Sequence, residues 1–201
     1  MFELYWHCAG QNKTDEAFVE KSLSELHQLL SEPPVGRGLI AKRLGKEGQD
    51  IVEQWLSDPD VKAVFPHLLS EGSFLSKNMP QDEGWSPLLV FCQPDSLLAK
   101  RLKRVRYGAA WGYCEVPTIS AVYEPSNKHI LWHETLHLFD VDDCYDYNDP
   151  NNGTTCELPD CLMQYAPSSQ TVGKWPFLCK KAVEKLRCWP NHAETMDQPK
   201  L

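Results

Sequence analysis

The chain has 201 residues, 42% hydrophobic and 24% charged, which are the proportions of an ordinary globular domain and exclude a disordered or fibrous chain. Its 20 basic and 28 acidic side chains leave a formal charge of −8, which argues against a nucleic-acid partner, because such binding rests on neutralising phosphates. No apolar run approaches the roughly 18 to 20 residues of a membrane span, and the opening MFELYWHC has neither the basic nor the apolar region of a secretory signal.

Glu3 to Cys8 alternates in polarity as a half-buried strand does. Thr14 is the expected cap of a helix in which Val19, Leu23, Leu26 and Leu30 share a face until Pro33 and Pro34 end it. Two helical pieces are expected from Asp50 to Leu69, meeting at Asp58-Pro59, followed by a loop over 71–87. Leu88 to Cys92 is an apolar run of strand length. After it, Leu97, Leu98, Leu102 and Val105 form one helical face opposite Lys100, Arg101, Lys103 and Arg104. Ala109 to Glu115 and Thr118 to Tyr123 read as strands, with Pro117 suiting an edge or a connection. Asn127 to about Phe139 reads as a helix capped by Ser126 or Asn127, and residues 140–160 as a structured loop rich in acids and turn formers. Pro176 to about Cys188 is a last amphipathic helix, and the chain from 191 is expected to fray. The sum is an α/β (α+β) domain over 1–190 with a tail at 191–201, in the cytoplasm and without membrane contact, non-classical secretion being left open.

The chemistry concentrates in HETLH at 133–137. On a helix, His133 and His137 lie on one face at the spacing that two ligands of one tetrahedral zinc need. Glu134, rotated about 100° from His133, reaches a metal-bound water rather than the metal. Composition alone yields this pattern about 0.02 times in such a chain, so it is informative. His129 extends the row to i, i+4 and i+8, but its ends lie about 12 Å apart, and pairing His129 with His133 puts Ile130 where the base belongs. His133 with His137 is therefore the expected pair. Eight cysteines exceed ordinary usage without reaching the density of a disulfide scaffold, and in a chain with no secretory signal they lean towards metal or chemistry. Cys8, Cys92 and Cys114 read as buried strand residues.

The run His133-Glu134-Thr135-Leu136-His137-Leu138-Phe139-Asp140-Val141-Asp142-Asp143 resembles the long zinc motif of the metzincin clan of metallopeptidases, H-E-x-x-H-x-x-G-x-x-H or D. The resemblance puts Asp143 in the third-ligand position, as in the snapalysin branch, and Asp140 where the clan has glycine. Cys161-Leu162-Met163-Gln164-Tyr165 is similar to the clan's Met-turn, with Met163 under the zinc and Tyr165 as a donor to the oxyanion. Cys144, Cys161 and Cys179 resemble the positions at which archaemetzincins bind a second, structural zinc. Here Ala182 stands where that set has its last cysteine, and Cys156 is an additional one. Cys144, Cys156, Cys161 and Cys179 are left with three readings, a four-thiolate zinc site, disulfides or free thiols.

The resemblance implies a metzincin-like catalytic domain: a mixed twisted β-sheet with flanking helices, an active-site helix and a Met-turn. It also implies a catalytic Zn2+ on His133, His137 and Asp143, Glu134 as base, a peptide or protein substrate, and a cleft rim formed by a strand within Ala109 to Cys114. The rival expectation is a catalytically inactive, metal-stabilised interaction domain that keeps the fold. It is favoured by Asp140, Ala182 and the additional Cys156.

Overall fold

The computed structural model describes residues 1–9, 13–57, 88–91, 108–111, 119–122, 127–145, 156–158, 160–164 and 175–189. The elements run β1 (Phe2–Cys8), α1 (Lys13–Ser31), β2 (Leu39–Arg43), α2 (Lys46–Ser57), β3 (Leu88–Phe91), β4 (Gly108–Trp111), β5 (Ile119–Val122), α3 (Lys128–His137) and α4 (Lys180–Cys188). The strands form one five-stranded sheet in the order β2-β1-β3-β5-β4. Its first four members are parallel, and β4 runs antiparallel to β5 on the far edge. The architecture is thus a mixed α/β one, and no helix among the described residues is long and apolar enough to cross a membrane.

The alternation in β1 decides which face of the sheet carries the core. Phe2, Leu4, Trp6 and Cys8 are buried against Val19, Leu23, Leu26 and Leu30 of α1 and against Leu131, Trp132 and Leu136 of α3. From the other face, His7 reaches Glu53 of α2 at 2.8 Å. Trp132 ties the two core helices together, because its indole Nε1–H donates to the Ser22 carbonyl at 2.8 Å while its ring is fully buried.

Arg37, in the turn before β2, fastens α4. Its guanidinium donates to the carbonyls of Leu186 (3.0 Å) and Trp189 (2.5 Å) at the C-terminal end of that helix, and lies 4.6 Å from the centre of the Phe2 ring. Beside it, Gly38 has no room for a side chain: a Cβ there would come within 2.6 Å of the His27 ring and the Ser31 hydroxyl.

Several sequence expectations need correction. Helix α1 begins at Lys13, so Thr14 lies inside its first turn and not at the cap position. Strand β2 was not expected, because only Leu39, Ile40 and Ala41 are apolar before Lys42 and Arg43. As an edge strand beside β1 it needs little apolar surface, so periodicity is silent. Helix α2 starts at Lys46, ahead of Asp50, and α4 starts at Lys180 rather than Pro176, because Cys179 is extended (φ −69°, ψ 165°). The second helical piece after Asp58, the 71–87 loop, the helix through Leu97 and Val105, Cys92, Cys114, Tyr165 and the tail lie outside the described residues.

Candidate metal centres

Helix α3 is capped by Asn127, whose side chain accepts from the backbone N–H of His129 at 3.1 Å, so of the two candidate caps Asn127 holds the position. Leu131, Trp132, Thr135 and Leu136 sink into the core, which leaves His133 and His137 together on the opposite side. The helix then closes in a Schellman arrangement, with Asp140 N–H donating to His137 O (3.1 Å) and Val141 N–H to Leu136 O (3.3 Å). Such a closure needs a left-handed residue, and Asp140 supplies it at φ +63°. The position where the metzincin motif has glycine is therefore filled by an aspartate in a glycine-like conformation. Lys185 of α4 holds its carboxylate at 2.5 Å, and Lys181 holds Asp142 at 2.9 Å.

This turn delivers Asp143 to the histidines. Asp143 Oδ1 lies 3.0 Å from His133 Nε2 and 3.5 Å from His137 Nε2, and the two Nε2 atoms are 3.1 Å apart. Zinc bonded to nitrogen and oxygen at about 2.0–2.2 Å in a tetrahedron spaces its ligand atoms by about 3.3 Å, so the three atoms stand at the separations of one coordination face. Their far sides are fixed as well. His133 Nδ1–H donates to the Leu162 carbonyl at 2.9 Å and His137 Nδ1–H to the Val141 carbonyl at 2.7 Å. With those protons committed, both Nε2 atoms converge on each other and on a carboxylate, an arrangement that a positive charge among them stabilises, whether a proton or a metal ion.

The electrostatics agree. Burial alone would lower the pKa of His133, but its hydrogen bond to Asp143 and the charge of Glu134 outweigh burial and push it up to about 9. Burial alone would raise Asp143, yet the two imidazoles hold it well below the usual carboxylate range. Glu134 is 7% exposed, and its Oε2 has no hydrogen-bond partner. Burial pushes its carboxyl above the ordinary range, and the neighbouring imidazoles restrain that rise.

A second cluster lies next door in the chain. Cys144, Cys156, Cys161 and Cys179 bring their four sulfurs within 4.8 Å of one another. None of the four is in a disulfide, and Cys144 Sγ lies 3.9 Å from Cys161 Sγ and 3.6 Å from Cys179 Sγ. A disulfide would need about 2.05 Å, whereas four sulfurs at about 2.3 Å from one zinc stand about 3.8 Å apart. The distances set the disulfide reading aside and suit a group that could hold one metal ion. Cys161 is the natural thiolate of the set: a hydrogen bond from Cys144 brings it down to about 6 against the effect of burial, with help from the Cys179 backbone N–H at 3.3 Å. The same bond pushes Cys144 far up, and burial raises Cys179 to about 11.

Met163 is fully buried, and its carbonyl accepts from Cys144 N–H at 2.7 Å. The Leu162 and Val141 carbonyls and the lysine pair of α4 escaped the sequence reading. Main-chain acceptors leave no mark in residue identity, whereas Lys181 and Lys185, four apart on an amphipathic helix, did offer a signal. His129 lies half-buried one turn before His133 and is not part of the ligand group. No protein-family profile matches the chain, and no characterised protein is similar enough to be counted a relative.

The Asp140 turn gives a test in which two substitutions differ. Asp140→Ala removes both the tolerance for positive φ and the Lys185 ion pair, and is expected to destabilise by about 1–2 kcal/mol. Asp140→Gly loses only a half-exposed pair worth about 0.2–1 kcal/mol while relieving the backbone, and should lie within about 1 kcal/mol of wild type in urea denaturation.

Proposed function

We propose that the chain is a zinc-dependent metallopeptidase with a metzincin-like catalytic domain that hydrolyses bonds in peptide or protein substrates. The observation that carries this reading is the convergence of two oriented imidazole lone pairs and a carboxylate within 3.5 Å, with a buried, unpartnered glutamate oxygen on the adjacent residue. His133, His137 and Asp143 would hold the catalytic ion, and Cys144, Cys156, Cys161 and Cys179 a structural one. Thiolate and imidazole donors in tetrahedral spacing favour zinc over harder cations.

When bound, zinc polarises a carbonyl and brings the pKa of a water towards about 7. Glu134 takes the proton of the attacking water and passes it to the leaving amine. Burial suits it to that work, since a carboxylate with a raised pKa is a better proton acceptor. Among the described residues β4 is an open edge of the sheet, and it packs against α3. Its unpaired main chain would receive an extended peptide as an added strand. Tyr165 is the proposed donor to the developing oxyanion.

The test is metal content per chain after gel filtration, paired with cleavage of a mixed peptide library. Wild type is expected to carry two zinc ions and to cleave. The His133→Ala/His137→Ala double variant should keep one ion, on the cysteines, and cleave nothing. A wild type that holds both ions and cleaves no peptide would replace this reading with the metal-stabilised interaction domain.

A further inference from the structure

We propose that the cysteine cluster is a positioning element for the His133/His137/Asp143 site, so that metal held by the four sulfurs raises the affinity of the second site. This rests on the metal reading given above. It concerns how the two groups depend on each other, which their separate geometries do not require.

The argument is one of connectivity. Asp143, the third ligand, is bonded in sequence to Cys144, and Leu162, whose carbonyl orients His133, is bonded to Cys161. Those two segments are joined by the Cys144 N–H bond to the Met163 carbonyl at 2.7 Å. Leu162 N–H in turn donates to the carbonyl of Phe177 at 2.8 Å, two residues before Cys179. Three of the four sulfurs therefore belong to segments that set a ligand or its orienting carbonyl. These segments carry little regular structure of their own: 141–145, 156–158 and 160–164 contain neither helix nor strand. Without a common centre, Cys144 meets Cys161 and Cys179 through weak sulfur contacts of 3.6–3.9 Å. Four bonds to one ion would replace those contacts and fix the position of Asp143 and the Leu162 carbonyl together. Groups that orient metal ligands from behind are typically worth 10- to 100-fold in metal affinity.

Cys156 is the suitable probe, because it is the one partly buried cysteine of the four and is bonded in sequence to neither Asp143 nor Leu162. The experiment is titration of the full-length, reduced, metal-free chain with cobalt(II), in which thiolate coordination is read from its sulfur-to-metal charge-transfer absorption and the histidine site from its weaker ligand-field bands. In wild type, the thiolate signal is expected to complete over the first equivalent and the histidine site over the second. In Cys156→Ser, the affinity of the histidine site is expected to fall 10- to 100-fold. Cys156→His offers a replacement ligand and should restore it, whereas a role in packing alone would not be rescued by a larger, differently shaped side chain. If Cys156→Ser does not fold, the wild-type order and the Cys156→His affinity still decide. Histidine-site filling before or independently of the thiolate signal, or an affinity in Cys156→Ser within about twofold of wild type, overturns the proposal. A wild-type chain that takes only one ion overturns the metal reading itself, and the coupling with it.

Discussion

Glu134→Gln is expected to keep both metal ions and to lose peptide hydrolysis by about 10²- to 10⁴-fold, the usual contribution of a positioned general base. The substitution preserves shape in a position only 7% exposed, and it removes the basic lone pair while leaving His133, His137 and Asp143 in place. Folding should not suffer. Burial already disfavours the Glu134 charge, so a neutral amide there is expected to give a thermal midpoint no lower than that of wild type. Measuring zinc content, thermal midpoint and kcat/KM on one preparation separates the possibilities. Retained hydrolysis would remove Glu134 from the chemistry, and loss of zinc would make it part of the binding group.

Trp132→Ala should be the most destabilising single change among the described residues, by about 3–5 kcal/mol. Trp132 is fully buried, packs against Phe177 with ring centres 6.4 Å apart, and its indole is the second donor to the helical Ser22 carbonyl, which truncation would remove. Trp132→Phe keeps most of the apolar volume and loses the indole donor, so its expected penalty is only about 1–3 kcal/mol. Urea midpoints for the two variants give the comparison. Because Trp132 precedes His133 directly, the alanine variant is also expected to bind zinc more weakly, while equal stability of the two variants would show that the indole contributes little beyond its volume.

The parts of this molecule that were readable in advance are those specified locally. The i, i+4 spacing of His133 and His137 depends only on helix geometry, and Asn127 announces its helix through a hydrogen bond to a residue two positions away. Strand β1 and its buried face follow from alternation alone. Features that depend on distant partners were not readable. Strand β2 exists because β1 offers it an edge, and the work of Arg37 becomes visible only once α4, about 150 residues later in the chain, lies against it. The cysteines fall between these cases. Their spacing marked them as a set, but the choice between bonding to one another and sharing a metal is a matter of an ångström or two between sulfurs, which sequence does not encode locally.

The separation of the two ligand groups along the chain has a consequence for synthesis. His133, His137 and Asp143 lie within one short stretch, whereas the cysteine cluster reaches forward to Cys179 at the head of α4. Chains are made N-terminus first, so a nascent chain that has reached only Gln164 already contains His133, His137 and Asp143. It still lacks the last sulfur, the lysines that clasp the Asp140 turn, and the helix that Arg37 caps. The histidine site thus gains its full surroundings only once α4 has been made, and a polypeptide interrupted before α4 would leave the ribosome with the three residues present but unassembled.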